Sequence, residues 1–405
     1  MNEVLKIALI REGKIPPDSR VALSPTQAAQ LNQRPDIDIV VVPSERRTYR
    51  DEEYQQAGLQ LSNEVADRDL LLGIKEVNIE DLVPNKTYCF FSHTIKEQSY
   101  NRDLLRAVLE KNIQLIDYEV LTDQKGRRVI AFGYYAGMVG AHNGLWAYGQ
   151  RTGKLNLPRL KDCFDYAEAK EIYRNTDWPD VRVVLTGTGR VGKGAARVLL
   201  DMGFTQLAPK DYLVGEGSGP IFTQLACQDY AYRKSDGGFD KQEYYQHPDL
   251  YEVHFAPYWE SSEVFINGIY WDPQSPAFFE REDLRKSDFK IKTIADVTCD
   301  IAPESSVPTT LYASTIAEPV FGFDIETGKA TDPYGPDVID VMSIDNLPSE
   351  LPRDASEAFG DMFMEHVIPA FFNGDEDGLL LRATVAKDGK LGPYFQYLQA
   401  YVDGE

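Results

Sequence analysis

The feature that most constrains this chain is a short apolar run followed at once by a glycine-spaced turn. Val181–Leu185 is apolar and β-branched apart from Arg182, the pattern of a strand buried on both faces. Gly187-Thr188-Gly189-Arg190-Val191-Gly192 follows, and Val191–Met202 continues with helical spacing. In a strand–turn–helix of this kind the first glycine makes the tight turn. The second lets a diphosphate approach the backbone, and the third lets helix and strand pack closely. The N-terminus of the helix then offers free N–H groups and partial positive charge to the diphosphate, and Arg190 adds a full charge. Thirty glycines will produce such spacings by chance, so the flanking strand and helix carry the reading. The competing reading is a purely structural turn. The acidic residue expected about 20 positions on, for the adenosine ribose, is best matched by Asp211. Pro209 interrupts the expected strand there, and a turn aspartate is the alternative. Glu216 stands nearby in a glycine-rich loop. A carboxylate would repel a 2′-phosphate and Lys210 is alone, which favours NAD over NADP.

Similar alternation runs through the rest of the chain. Lys6–Ile10, Asp38–Val42, Asp69–Ile74, Tyr88–Phe91 and Ile113–Asp117 read as strands, with helices predicted at Ser24–Leu31 and Ser99–Glu110. Ser24 is the expected N-cap and Pro25 the first helical residue. Glu263–Ile266 and Thr293–Val297 are further strands. Tyr230–Tyr258, polar and aromatic, reads as an insertion, and Ala355–Phe372, Leu379–Thr384 and Tyr394–Tyr401 read as helical. Strands separated by helices predict an α/β protein with mainly parallel sheets. A length of 405 residues predicts two or three domains.

Composition narrows the partners. Acidic residues outnumber basic ones 64 to 42, a net charge of -22, and such a surface repels nucleic acid and anionic lipid. The four cysteines form no CxxC pair, and the five histidines show no metal-ligand spacing, so neither a disulfide scaffold nor a metal site is expected. No run approaches a membrane span, and the N-terminus lacks a leader pattern, so the expected compartment is the cytoplasm. A monomer or small homo-oligomer acting on a small molecule fits this composition.

Several segments resemble the lysine-forming saccharopine dehydrogenases. They are Arg20-Val21-Ala22-Leu23-Ser24-Pro25, Gly73-Ile74-Lys75-Glu76, Ser92-His93-Thr94-Ile95-Lys96, DQKGRRVIAFGYYAGMVGAHNG (123–144) and SIDNLPSELPRDASE (343–357). They follow the family's order and spacing over most of the chain. The wider group includes alanine dehydrogenases and the nucleotide-binding part of transhydrogenases. The resemblance implies two Rossmann-like domains with parallel sheets and an active-site cleft between them. Residues 1–133 and 340–405 would form the discontinuous catalytic domain, and 134–339 the NAD-binding domain, with an insertion near 214–258. Val191 and Gly268 stand where some members have cysteines.

Oxidising a secondary amine moves a hydride and several protons, so the site needs general bases that cycle near neutral pH. Histidine does so unaided, and lysine does so when burial or a neighbouring cation lowers its pKa. His93 and Lys75 each follow a predicted strand, and the resemblance makes them the catalytic pair. A structural histidine and a solvated lysine are the bland alternatives. The resemblance implies that Glu76 and Glu119 tune the charge of the cleft or bind the substrate's amine, with ordinary surface acids the alternative, and that Arg20, Arg128 and Lys96 meet substrate carboxylates, where an arginine fork accommodates two oxygens. Arg127 must then point elsewhere. Asp300 and Asp345 are expected near the cofactor, each with a competing role as a cap. The activity expected is NAD-dependent conversion of saccharopine to lysine and 2-oxoglutarate, or the reverse. An alanine-dehydrogenase-like or other amino-acid dehydrogenase, and a non-catalytic NAD-binding module, are the alternatives.

Overall fold

The computed structural model describes residues 4–215 and 217–404, so Glu216 lies outside the described residues. The chain divides into two compact units. One runs to Ala131 and resumes at Pro352, and the other is Phe132–Leu351.

The first unit opens with β1 (Leu5–Leu9), α1 (Pro25–Asn32), β2 (Ile37–Val41), α2 (Asp51–Gln56) and β3 (Gln60–Leu61). It continues with β4 (Leu70–Leu72), β5 (Thr87–Phe90), α3 (Arg102–Glu110) and β6 (Gln114–Asp117). These strands lie parallel in the order β3-β2-β1-β4-β5-β6. Ile7 is registered with Ile39 on one side and Leu70 on the other, and all three are buried. The direction of winding therefore reverses between β1 and β4, the place where open α/β sheets collect ligands at their carboxyl ends. α1 starts where the sequence places it. The Ser24 side chain accepts from the Gln27 backbone, and Gln27 reciprocates in a capping box.

The second unit begins with α4 (Gly133–Thr152) and α5 (Tyr166–Arg174), then β7 (Arg182–Thr186), α6 (Arg190–Asp201), β8 (Thr205–Leu207), α7 (Pro209–Leu213) and β9 (Ile221–Leu225). β10 (Ala231–Arg233), α8 (Lys241–Gln246), β11 (Tyr251–Val253) and α9 (Ala256–Trp259) follow. β12 (Val264–Asn267), β13 (Thr293–Asp296), β14 (Phe321–Asp324), β15 (Ala330–Thr331) and β16 (Val338–Met342) complete it. The sheet order is β15-β14-β16-β13-β12-β7-β9-β8, parallel from β8 through β16, with β14 and β15 antiparallel at one edge. The sequence reading has no helix where α4 lies. Its glycines explain the helix, because they allow backbone contact with α6. A Cβ on Gly137 would stand 1.9 Å from the Val191 carbonyl oxygen, and one on Gly194 would stand 1.9 Å from that of Tyr134. Most of the aromatic residues near 230–258 serve as core, while Tyr245 is exposed. Tyr230, Tyr244, Tyr251 and Phe255 are buried between the β10–β11 hairpin, α8 and the sheet residue Phe265.

The first unit is completed by α10 (Pro352–Met362), α11 (Leu379–Ala383), β17 (Thr384–Lys387), β18 (Lys390–Leu391) and α12 (Gln399–Asp403). β17 adds antiparallel to β6, and β18 to β17. α10 is tied to the α1 region by Ser356 Oγ, which accepts from the Val21 N–H, and by Gln27 Nε2, which donates to Asp361. A return at residue 340 would cut β16, whose five residues are all buried in the second sheet, so the crossing comes after Leu351 instead. No helix among the described residues is long and apolar enough to cross a membrane.

Candidate active site

In the first unit, the loops after β1, β4, β5 and β6 bring together charged side chains that the sequence scatters over more than 100 positions. Lys75 is the third residue beyond β4 and is half-buried. Burial, then the neighbouring Arg20 and Lys14 charges, lower its pKa to about 8, with Asp18 and Glu76 opposing. Lysine in this state exchanges protons near neutral pH. The next residue, Glu76, lies 2.5 Å from His93 Nδ1 and accepts from Lys14 Nζ at 2.9 and 3.1 Å. Burial raises the Glu76 pKa, but the His93 and Lys14 interactions outweigh it and leave the carboxyl at about 2. With Nδ1–H donating to this carboxylate, Nε2 is the basic nitrogen of His93. The His93 backbone is left-handed at φ 53°, a conformation that costs a non-glycine residue about 1–2 kcal/mol. Asp117, at the end of β6, holds the strained loop. Its carboxylate accepts from the N–H groups of Ser92 and Glu119 at 3.1 and 2.8 Å.

Glu119 faces two cations, Lys96 at 3.7 Å and Arg128 at 3.6 Å. Arg127 turns away and pairs with Asp123 at 2.7 Å. Arg20 is buried, and its Nε and Nη2 donate to Asp18 at 3.0 and 2.6 Å. Burial opposes ionisation of Asp18, yet the Arg20 charge and hydrogen bonds hold its carboxyl well below the usual range. Glu12, three residues beyond β1, accepts from the backbone N–H of Ile74 at 2.6 Å and of Lys75 at 2.8 Å. Glu12, Asp18 and Asp117 escaped the sequence reading. For Glu12 and Asp117 the only signal was an acid at or just beyond the end of a predicted strand, a position shared with many solvated acids, and Asp18 sits in a loop with no such mark.

In the second unit the three glycines of the turn separate by cause. Gly187 has φ 97°, and a Cβ there would meet the Gly268 carbonyl oxygen at 2.3 Å. A Cβ on Gly192 would meet the Gly187 carbonyl oxygen at 2.0 Å. Gly189, the N-cap of α6, has ordinary extended angles and nothing within 4 Å of its would-be Cβ. Packing requires the first and third glycines. Nothing among the described residues packs against the second, and the open space over the helix N-terminus fits an approaching diphosphate. Arg190 is exposed beside it.

The other expected cofactor residues lie in different places. Asp300 follows β13 and is half-buried, and burial raises its pKa. Asp345, three residues beyond β16, is exposed. Both carboxylates reinforce the burial that pushes the Cys299 thiol up to about 12, so the two share one neighbourhood. Asp211 is exposed on α7, which joins β8 to β9. The strand beside β7 is β9, not β8, so the carboxyl end next to the glycine turn carries residues 226–229. Asp229 is the acid there, accepting from the Ala226 N–H at 2.7 Å. Beneath the turn lies a network that the sequence did not signal. Thr186 donates to Asn267, and Asn267 donates to Asp296 and Ser306, each at 2.9 Å. Thr310 also donates to Asp296, at 2.6 Å.

Comparisons with known proteins bear on the family and the fold. Residues 8–139 match the family model "Alanine dehydrogenase/PNT, N-terminal domain". A solved L-alanine dehydrogenase superposes with a TM-score of 0.66 at 15% identity, over 97% of this chain and 99% of that one. The alpha-aminoadipic semialdehyde synthase of Rattus norvegicus is 30% identical over 89% of this chain, but the match spans only 44% of that protein's length. The lysine-forming NAD(+) saccharopine dehydrogenase of Candida glabrata is 31% identical, covering 88% of this chain and 89% of that protein. Its counterpart in Yarrowia lipolytica is 28% identical over 91% of this chain and 93% of that protein. By this full-length similarity, the chain belongs to the lysine-forming saccharopine dehydrogenase family.

Proposed function

We propose that this protein is an NAD-dependent amino-acid dehydrogenase that interconverts saccharopine with L-lysine and 2-oxoglutarate. The observation that carries the reading is the grouping of Lys75, with its lowered pKa, beside the His93–Glu76 pair at the carboxyl ends of β4 and β5. NAD, its diphosphate held at the Gly187–Gly192 turn, would supply the acceptor for the hydride from the carbon bearing the secondary amine. Lys75 takes the proton from that nitrogen, leaving an imine. His93, oriented through Nδ1 by Glu76, takes a proton from water as the oxygen adds to the imine carbon. It returns that proton to nitrogen to complete the carbinolamine, then takes the carbinolamine hydroxyl proton and passes it to the same nitrogen as the carbonyl forms and the carbon–nitrogen bond breaks, releasing the amine of lysine and the keto group of 2-oxoglutarate. One water is consumed and one proton released for each hydride transferred.

Substrate carboxylates are assigned to Arg128 and Lys96, which exchange their long contacts with Glu119 for the ligand. Arg20 supports Lys75 electrostatically, because Asp18 already holds two of its donors. Preference for NAD over NADP is assigned to Asp229, since residues 226–229 at the end of β9 contain no basic side chain to neutralise a 2′-phosphate.

The test is to mix the protein with NADH, 2-oxoglutarate and L-lysine and follow NADH absorbance, with NADPH in parallel. Oxidation of NADH with lysine, and not with ammonia and pyruvate, is expected. Turnover with pyruvate and ammonia alone would reassign the substrate, and inactivity with every keto acid would refute the reading.

A further inference from the structure

Glu12 has no place in the proton transfers above, yet its carboxyl group accepts from two successive backbone N–H groups of the site. Its Oε1 accepts from the Ile74 N–H at 2.6 Å and its Oε2 from the Lys75 N–H at 2.8 Å. Two successive N–H groups converge on one carboxyl group, each on its own oxygen, and the occupant comes from the neighbouring β1 loop. The contact is confined, since a Cβ on Gly73 would stand 3.4 Å from Glu12 Oε1 and 3.2 Å from the Ile10 side chain. Burial raises the Glu12 pKa to about 8, with Asp18 adding to the rise, while the two N–H bonds and Arg20 oppose it.

We propose that Glu12 is a positioning residue, a carboxyl clamp whose two oxygens fix the backbone of Lys75 so that its ammonium group stays in the partly desolvated pocket beside Arg20. This inference rests on the proposed role of Lys75 as a proton carrier, but its physical content concerns the lysine alone. The groups facing Lys75 are Arg20, Asp18, Lys14 and Glu76, and those facing Glu12 are Asp18, Arg20 and Tyr118. None of them replaces the clamp, because each acts on side-chain charge and none bonds the 74–75 backbone. Loss of the clamp leaves the segment tied through the Ile74 carbonyl, which accepts from the Phe91 N–H at 2.9 Å, and the Gly73 N–H; the Lys75 N–H is released, the ammonium group gains water, and the main cause of its lowered pKa fades.

The test titrates Lys75 without substrate, by competitive acetylation of the folded protein across a pH series and peptide mapping. In the wild type Lys75 titrates near the value of about 8 set by its surroundings. In Glu12→Ala its titration moves up by about one pH unit or more toward that of free lysine, and added formate, a carboxylate that fits the vacated N–H pair, moves it back. Glu12→Gln has one carbonyl oxygen for two N–H groups and is expected to shift Lys75 in the same direction; it serves if the alanine variant does not fold. An unchanged Lys75 titration in a folded Glu12 variant, or a shift that formate leaves in place, overturns the proposal. A formate-reversible shift in a protein that oxidises NADH with no keto acid would uphold the clamp and remove the dehydrogenase reading instead.

Discussion

Changing Gly189 and Gly192 to alanine, one at a time, separates a glycine kept for a ligand from one kept for the fold. Gly189 has φ -76° and ψ -161°, angles open to any residue, and its would-be Cβ has no neighbour within 4 Å. Gly189→Ala therefore leaves folding intact. It raises stability by about 0.4–1 kcal/mol if the lost freedom of the unfolded chain dominates. The added methyl occupies the space over the N-terminus of α6, and a diphosphate there loses at least one charge-assisted hydrogen bond, about 1.5–3 kcal/mol. That is roughly a 10- to 150-fold loss of NADH affinity. Gly192→Ala does the opposite. Its Cβ would sit 2.0 Å from the Gly187 carbonyl oxygen and 2.6 Å from the carbonyl carbon. Both are backbone atoms that no rotamer change can move, so the turn must shift at a cost of about 1–3 kcal/mol or more. Urea unfolding by circular dichroism measures the first quantity, and fluorescence titration with NADH measures the second. A folded Gly189→Ala protein that binds NADH as tightly as the wild type would refute the assignment of the turn to a dinucleotide.

Other substitutions probe the remaining parts. His93→Gln is expected to lower kcat by about 10²-fold or more with NADH binding unchanged; Glu76→Gln lowers it less, and equal kcat values for His93→Gln and wild type would exclude His93 as a base. Burial raises Asp296 to about 6, above its ordinary 3.8, so the folded protein holds a proton that the unfolded chain has released between those values. Its contribution to stability is present below about pH 4 and is lost as the pH rises to about 6, roughly 3 kcal/mol in all. Asp296→Asn should flatten this slope, read from urea midpoints between pH 4 and pH 7. Glu350 is buried, paired with Arg159 and bonded by Asn143 Nδ2 at 3.0 Å. Glu350→Ala, which strands the arginine, should cost about 3–5 kcal/mol in the same unfolding assay.

Local structure was legible wherever neighbours in sequence are also neighbours in space. β7, the glycine turn and α6 follow from adjacent residues, as do β1, β2, β5 and the Ser24 cap. β17 was missed because Thr384-Val385 runs straight on from the helical Leu379–Ala383 into Ala386 and Lys387 with no turn between, and its identity comes from pairing with β6. α4 was missed because its glycines argue against a helix in isolation. They make sense only once α6 lies against them.

The amino-acid sequence alone determined the α/β class, the glycine turn and the segments that carry Lys75 and His93, because those signals are periodic or contiguous. Tertiary structure alone decided which strand neighbours β7, and so which acid lies beside the turn. It alone placed Glu76 on His93 and Glu12 on the Lys75 backbone. Strand order and loop contacts are set by burial across dozens of residues, and a proton's affinity for lysine depends on the water and charge that the fold removes or brings near.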